Sequence, residues 1–247
     1  MRLTVVGCSG SYPGPESPAS CYLVEHDGFR VVLDLGNGSL GVLQRYADLE
    51  SIDAVVLSHL HADHCLDLCS LYVHKRYQPG GPGRRIPVFG PAGTPQRLAR
   101  AYDLPEEPGM HGEFDFVEIS PGTTGLGPFT VTAARVNHPV EAYGFRVTAG
   151  HRTIAYSGDT AECEALLELV RDADVALIEA SCVDGREVPN VHLSARQAGQ
   201  VAARAGVRHL VATHLVPWND RAVTLEQART AFDGELTLAA TGLTIDL

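Results

Sequence analysis

The chain has 247 residues, 45% of them hydrophobic and 20% charged, which is enough to bury a sizeable core and excludes fibrous and disordered compositions. With 30 acidic side chains against 19 basic ones, the net charge of -11 opposes any nucleic-acid binding that relies on broad phosphate neutralisation. Its apolar runs are about half a dozen residues long, against the roughly 18 needed to span a bilayer, and no basic segment leading into an apolar one opens the chain. The six cysteines (Cys8, Cys21, Cys65, Cys69, Cys163, Cys182) form no CxxC pair, so free thiols in a reducing, cytoplasmic compartment are expected.

In chain order, residues 3–6, 21–25 and 30–33 read as strands, residues 40–46 as a helix and residues 54–57 as a buried strand. Residues 66–73 are amphipathic. Val88-Phe89 ends on Gly90-Pro91, and Thr94 followed by Pro95 predicts the N-cap and first position of a helix reaching about residue 102. Residues 114–156 form a β meander, with turns between Pro121 and Pro128 and a hairpin at Gly150-His151. The last third alternates: helix 161–170, strand 175–178, helix 195–205, strand 210–212, and a final helix opened by Thr224 with Gln227 three residues on. Strands in both halves with helices between them fit two central sheets covered by helices better than one doubly wound sheet. A single domain over 1–247 is expected. The only low-complexity stretch, residues 79–83 (PGGPG), reads as a mobile loop.

His59-Leu60-His61-Ala62-Asp63-His64 lies between strand 54–57 and the amphipathic stretch, on a strand-to-helix loop. In a chain with 11 histidines, such an HxHxDH string arises by chance roughly once in a thousand sequences. His59 and His61, two apart on extended backbone, project to one side, whereas Asp63 and His64 lie past the bend and face another. Two adjacent metal sites are the expected result.

Further donors each have two readings. His138 precedes Pro139 and is either a strand-end histidine or a ligand. Asp159 with Glu162 satisfies a capping-box pattern, although Thr160 can cap in its place. His214 follows strand 210–212, again at a strand end. His192 stands before a helix marked by the capping-box pair Ser194 and Gln197, whose free N–H groups can face a phosphate. Counting favours ligation: His59, His61, Asp63, His64, His138, Asp159 and His214 are more donors than one zinc takes, and two ions account for them. Imidazole and carboxylate without thiolate suit two zinc ions first, with manganese or iron as alternatives.

Together with Gly7-Cys8-Ser9-Gly10-Ser11, Leu33-Asp34-Leu35-Gly36, Ser157-Gly158-Asp159-Thr160, His192-Leu193-Ser194-Ala195 and Thr213-His214-Leu215, these motifs make nearly the whole chain resemble the metallo-β-lactamase fold superfamily. Within it, the likeness is to the ribonuclease Z-like metal-dependent phosphodiesterases. The resemblance implies an α/β (α+β) fold, a four-layer αβ/βα sandwich with the metals at one edge. It implies His59, His61 and His138 on one ion, Asp63, His64 and His214 on the other, and Asp159 bridging. It also implies three catalytic residues. His192, in the HxSA-type motif, contacts the scissile phosphate and assists the leaving group. Glu179, in Ile178-Glu179-Ala180-Ser181, resembles the glutamate of a HEAT-type segment and orients His192. Asp63 counts as both ligand and catalytic residue, and Asp34 is expected to support the metal loop without ligating.

Two ions about 3.5 to 4 Å apart share a hydroxide and clamp the attacking and leaving oxygens of a phosphodiester. The superfamily also hydrolyses acyl substrates, so a lactone or thioester hydrolase and a non-catalytic metal-binding regulatory protein are the competing readings. Ile178 stands where the endonucleases carry a histidine, and only 20 residues separate His138 from Asp159, leaving no room for the long arm that grips transfer RNA. The expected substrate is therefore a small or cyclic phosphodiester or an RNA 3′ end, with no extended nucleic-acid surface and no membrane partner; a homodimer is left open. Lys75, Arg76, Arg84 and Arg85 flank the PGGPG stretch and read either as an attractor for an anion or as solvated surface.

Overall fold

The computed structural model describes residues 1–81 and 83–247; Pro82, within the PGGPG stretch expected to be a mobile loop, lies outside the described residues. The first half of the chain forms β1 (Arg2–Gly7), β2 (Cys21–His26), β3 (Phe29–Leu33), α1 (Ser39–Leu43), β4 (Ala54–Val56), α2 (Ala62–Cys65), α3 (Leu68–Tyr77), β5 (Ile86–Gly90), α4 (Thr94–Ala101) and β6 (Phe114–Glu118). The second half forms β7 (Gly122–Leu126), β8 (Phe129–Arg135), β9 (Tyr143–Ala149), β10 (Arg152–Tyr156), α5 (Glu164–Val170), β11 (Val175–Glu179), α6 (Ala195–Arg204), β12 (His209–Thr213), α7 (Arg221–Arg229), β13 (Glu235–Leu238) and β14 (Thr244–Asp246). One sheet has the order β14-β1-β2-β3-β4-β5-β6 and the other β13-β12-β11-β10-β9-β8-β7.

Period-two alternation decides which side chains meet between the sheets. Val31 and Leu33 of β3 point inward with Leu3, Val5 and Tyr22, against Phe129, Phe145, Tyr156, Leu177 and Val211 of the other sheet. Val32, one residue out of phase, faces the opposite way and packs with Leu43, Leu68, Leu71 and Leu98 from α1, α3 and α4. On the far side, Ala176, Ile178 and Leu210 meet Leu166, Val170, Val201 and Ala202 of α5 and α6. The layers are therefore helix, sheet, sheet, helix, the αβ/βα sandwich expected from sequence. Full burial of each Leu, Val or Phe contributes roughly 1.5–3 kcal/mol. No helix of the described residues is long and apolar enough to cross a membrane.

Strand direction places the site. β3, β4 and β5 pair in parallel, as do β10, β11 and β12. β8 is antiparallel to β9, and β9 to β10, so β8 runs the same way as β10. The loops that leave β4, β8, β10, β11 and β12 therefore start from C-terminal strand ends, where open α/β sheets present ligand-binding residues.

Several expected boundaries move. Gly93, at φ 78°, caps α4, so Thr94 is its first residue and Pro95 its second; the Thr94 hydroxyl donates back to the Pro91 carbonyl at 2.7 Å. α5 begins at Glu164 with Cys163 as N-cap, and Glu162 pairs instead with Arg204, so the Asp159–Glu162 capping box does not form. α7 is opened by Asp220, whose side chain accepts from the Ala222 N–H, while Thr224 lies within the helix and donates to the Asp220 carbonyl. Asp63 and His64 occupy the short helix α2 rather than the loop itself. The α6 capping box forms in both halves as expected. β13 and β14, too short and exposed to be anticipated, extend the two sheets, and β14 pairs antiparallel with β1.

Candidate functional site

The HxHxDH segment is shaped by one carboxylate behind it. Asp34, just past β3 at φ 56°, accepts from the Ser58 N–H at 2.6 Å, the Ser58 hydroxyl at 2.7 Å and the Tyr156 hydroxyl at 2.6 Å. Its Oδ2 also lies 2.7 Å from His64 Nδ1, which leaves His64 Nε2 to face the cluster. A methyl group on Gly36 would stand 2.0 Å from the Asp63 carbonyl oxygen, so only glycine admits this approach of the β3 loop to α2. Asp34 is thus a support, as expected, and Ser58 and Tyr156 are further supports that sequence reasoning missed.

All seven expected donors converge on one rim. His61 Nδ1 lies 3.0 Å from His59 Nε2 and 3.4 Å from His138 Nε2, and His59 Nε2 lies 3.7 Å from Asp159 Oδ2. In the adjoining group, His214 Nε2 is 3.1 Å from Asp63 Oδ2 and 3.3 Å from Asp159 Oδ2, and His64 Nε2 is 3.4 Å from Asp63 Oδ2. Within each group of four, with Asp159 common to both, the donor atoms lie within 4.8 Å of one another. The outer ring nitrogens are held too: His138 Nδ1 by the Val191 carbonyl at 2.9 Å, and His214 Nδ1 by Ser181 Oγ at 2.6 Å. The Ser11 N–H donates to Asp63 Oδ2 at 2.9 Å.

Two observations show what this donor set fits. His64 Nε2 and Asp159 Oδ1 are buried 3.2 Å apart, and neither has a hydrogen-bond partner among the described residues. Such orphaned groups are costly unless a cation satisfies them. The field has the matching sign. Burial raises the Asp63 and Asp159 carboxyls, but the His214 and His64 imidazoles outweigh it and hold both well below the usual carboxylate range. Burial likewise opposes charge on His64, yet Asp159 and Asp34 carry it well above the ordinary imidazole value. His59 moves well below it, because burial and the neighbouring His64, His61 and His138 imidazoles outweigh Asp159. A cluster that concentrates positive charge between two carboxylates, built from nitrogen and oxygen without thiolate, fits divalent ions such as zinc, manganese or iron.

Beside the cluster runs a second network. His192 Nδ1 bonds Glu179 Oε1 at 2.9 Å and lies 4.0 Å from Asp159 Oδ2. Glu179 is fixed by the Thr160 N–H at 2.7 Å and by the Ser181 hydroxyl at 2.7 Å, and that same hydroxyl meets His214 Nδ1. Burial opposes charge on His192, but the bond to Glu179 and the charges of Glu179 and Asp159 push its pKa up to about 9. Nothing in the one-dimensional pattern marks Ser181 as the link between Glu179 and His214.

Geometry weighs against two of the open readings, the helix end as a phosphate site and the basic cluster as an attractor for an anion. The first turn of α6 offers little to a phosphate, because the N–H groups of Ser194, Ala195 and Gln197 are taken by Gln197, Cys182 and Ser194. The basic cluster is neutralised and remote. Lys75 is buried against Glu50, Arg76 pairs with Glu113, Arg84 with Asp53 and Arg85 with Asp115. Asp53, the partner of Arg84, stands just before β4 and Ser58 just after it, so five residues of extended chain at about 3.3 Å each put roughly 16 Å between that ion pair and the rim.

Residues 30–215 match the family model described as the beta-lactamase superfamily domain. The uncharacterized protein Rv1339 of Mycobacterium tuberculosis is 43% identical over 242 residues, covering 95% of this chain and 88% of that protein. The probable metallo-hydrolase YhfI of Bacillus subtilis is 29% identical over 245 residues, covering 98% of each, and its crystal structure superimposes with a TM-score of 0.87 over 99% of this chain and 98% of that one. The ribonuclease Z of Myxococcus xanthus is 26% identical over 303 residues, covering 100% of this chain and 98% of that protein. The chain belongs to the beta-lactamase superfamily and is a metal-dependent hydrolase.

Proposed function

We propose that the chain, acting as one domain over 1–247, is a dinuclear phosphodiesterase, with zinc the first choice of metal. Its substrate is a small or cyclic phosphodiester or an RNA 3′ end. His59, His61 and His138 would hold one ion, Asp63, His64 and His214 the other, with Asp159 shared. When bound, such ions supply Lewis acidity to the phosphoryl oxygens and acidify water.

The observation that carries the phosphorus reading is His192. Its side chain is 19% exposed, so it reaches the mouth of the cluster, and Glu179 fixes Nδ1 as the bonded nitrogen, which turns Nε2 outward. With its pKa raised by the bond to Glu179, that imidazole is placed to give its proton to a departing alkoxide, help worth about 10² to 10⁴ in rate. Glu179 stabilises the charged form and the tautomer, and Ser181 keeps Glu179 and His214 in register. The relationship to a ribonuclease supports phosphodiester chemistry, and the neutralised basic cluster supports a small substrate. Six free cysteines agree with a reducing, cytoplasmic setting.

Metal analysis after zinc reconstitution, together with turnover of a chromogenic phosphodiester, tests the proposal. Fewer than one ion per chain would falsify the two-metal claim. His192→Ala is expected to lower phosphodiester kcat by about 10² to 10⁴; an unchanged rate overturns its role and moves the assignment to lactones or thioesters, whose hydrolysis on the same donors needs no His192. A complete set of seven donors argues against a regulatory protein without turnover, and the absence of metal-dependent hydrolysis across phosphodiesters, lactones and thioesters would reinstate it.

A further inference from the structure

The single tryptophan of the chain, Trp218, is 58% exposed, and Tyr12 beside it is 47% exposed. Their ring centroids are 5.6 Å apart and their planes tilted by 38°. Large aromatic rings left in water forgo the stabilisation that burial would give them, so an exposed contiguous pair calls for an explanation. Its position supplies one. Tyr12 follows Ser11, whose N–H donates to Asp63, and Trp218 lies four residues after His214.

The two loops are fastened to each other and to the site. Gly10 N–H donates to the Leu215 carbonyl at 3.2 Å, Leu215 N–H to the Cys8 carbonyl at 2.8 Å, and a β-bridge joins Ser9 to Leu215. Pro217 packs over Gly14, and Asn219 Nδ2 donates to the Ser181 carbonyl at 2.8 Å, beside the hydroxyl that links Glu179 to His214. The loops that carry the two rings are therefore held together beside the cluster. Residues 7–20 and 214–220 contain no lysine or arginine, and Arg221, next along, is turned to the Ala239 carbonyl. Two aromatic rings whose own loops carry no lysine or arginine offer a surface suited to a flat neutral ring rather than to an anion.

We propose that Tyr12 and Trp218 form a stacking platform for the nucleobase of a nucleotide substrate whose phosphodiester sits at the His/Asp cluster. The proposal rests on the phosphodiesterase reading and narrows its substrate class to nucleotides. The cluster and His192 take the charged phosphodiester, and the aromatic pair takes the uncharged base, a division that also removes any need for basic residues around the mouth. Stacking on protein aromatics is tolerant of base identity, so the platform selects nucleotides over simple alkyl diesters rather than one base over another.

Because Trp218 is the sole tryptophan, its fluorescence reports binding without turnover. Adenosine 5′-monophosphate added to the zinc-reconstituted protein is expected to quench it saturably, whereas ribose 5-phosphate, with the same phosphate and no base, is expected to require at least tenfold higher concentration. Tyr12→Ala should weaken the adenosine monophosphate response about tenfold, within the range of one base stack. In kinetics, Trp218→Ala should raise KM for thymidine 5′-(4-nitrophenyl phosphate) about tenfold more than KM for methyl 4-nitrophenyl phosphate, with kcat little altered, and Trp218→Phe should restore most of the difference. Equal quenching by the two phosphates, or equal KM changes for the two diesters, overturns the platform. Failure of the unaltered protein to hydrolyse either diester overturns the phosphodiesterase reading instead, and the quenching then judges the platform alone.

Discussion

Asp34→Asn separates a supporting carboxylate from a ligand with almost no change of shape. Asp34 Oδ2 serves the Ser58 hydroxyl, His64 Nδ1 and the Tyr156 hydroxyl, whereas Oδ1 serves only the Ser58 N–H at 2.6 Å. An asparagine would keep its oxygen on the crowded side and turn its amide toward Ser58, so that one buried bond becomes a donor facing a donor. The stability cost is about 1–3 kcal/mol, the desolvation penalty of one unsatisfied buried group. The second effect falls on metal binding: His64 loses a negative charge behind Nδ1, and partners of this kind are worth 10- to 100-fold in affinity. Competition with a chromogenic chelator measures the affinity, and thermal melting of the apo and zinc-loaded protein measures the stability. Binding stabilises only the folded state, so the zinc-induced rise in Tm should shrink with the affinity. A variant that binds zinc within threefold of the parent, while melting lower, would show that Asp34 holds the backbone and not the ligand, and the argument from His64 would fail.

The remaining expectations concern other parts of the molecule. Ser181→Ala deletes the hydroxyl between Glu179 and His214 Nδ1 and should reduce zinc affinity about tenfold, with Ser181→Thr recovering most of it; chelator competition decides. The group Asp63, His64, His214 and Asp159 is wholly buried, whereas in the other group His61 is exposed and His138 half-buried, so calorimetric zinc titration should show two unequal steps, with His61→Ala removing only the weaker. A single step of two equivalents refutes the inequality. Lys75→Met leaves Glu50 without its cation, and because the Glu50 side chain is 37% exposed and can rehydrate, the loss should be limited to about 1 kcal/mol, with turnover unchanged. Burial raises the Glu50 carboxyl, but the Lys75, Gln78 and His74 bonds outweigh it and hold the pKa below the ordinary 4.5. Its contribution is therefore complete above pH 4.5 and lost as the pH falls through the lower folded value. Melting temperatures between pH 3 and 7 should show that acid-side loss in the parent and a weaker one in Lys75→Met; identical profiles refute it.

The densest part of the site was legible because its donors are adjacent: HxHxDH needs no tertiary information to declare a metal preference. His138, Asp159 and His214 were legible only as strand-end residues, since the sequence shows where a strand stops but not which stops share a rim. That depends on the parallel pairing of β10, β11 and β12 and on the double reversal that aligns β8 with them. Asp159 shows the conflict most clearly. Locally it fits a helix cap for 161–170, yet the chain delays the helix to Glu164 and leaves the carboxylate among three imidazoles. The local energy at issue, about 1 kcal/mol for a cap, is smaller than the cost of leaving those buried donors without a carboxylate. Thr94 and Thr224 failed as caps for the opposite reason: Gly93 in the left-handed region and Asp220 one turn earlier serve equally well, and nothing functional arbitrates between neighbours of similar propensity. Ser181, Ser58 and Tyr156 were illegible because a hydroxyl has no characteristic spacing. Their roles follow from what the imidazoles require on the side facing away from the cluster, so the supporting shell becomes readable only once the ligands themselves have been placed.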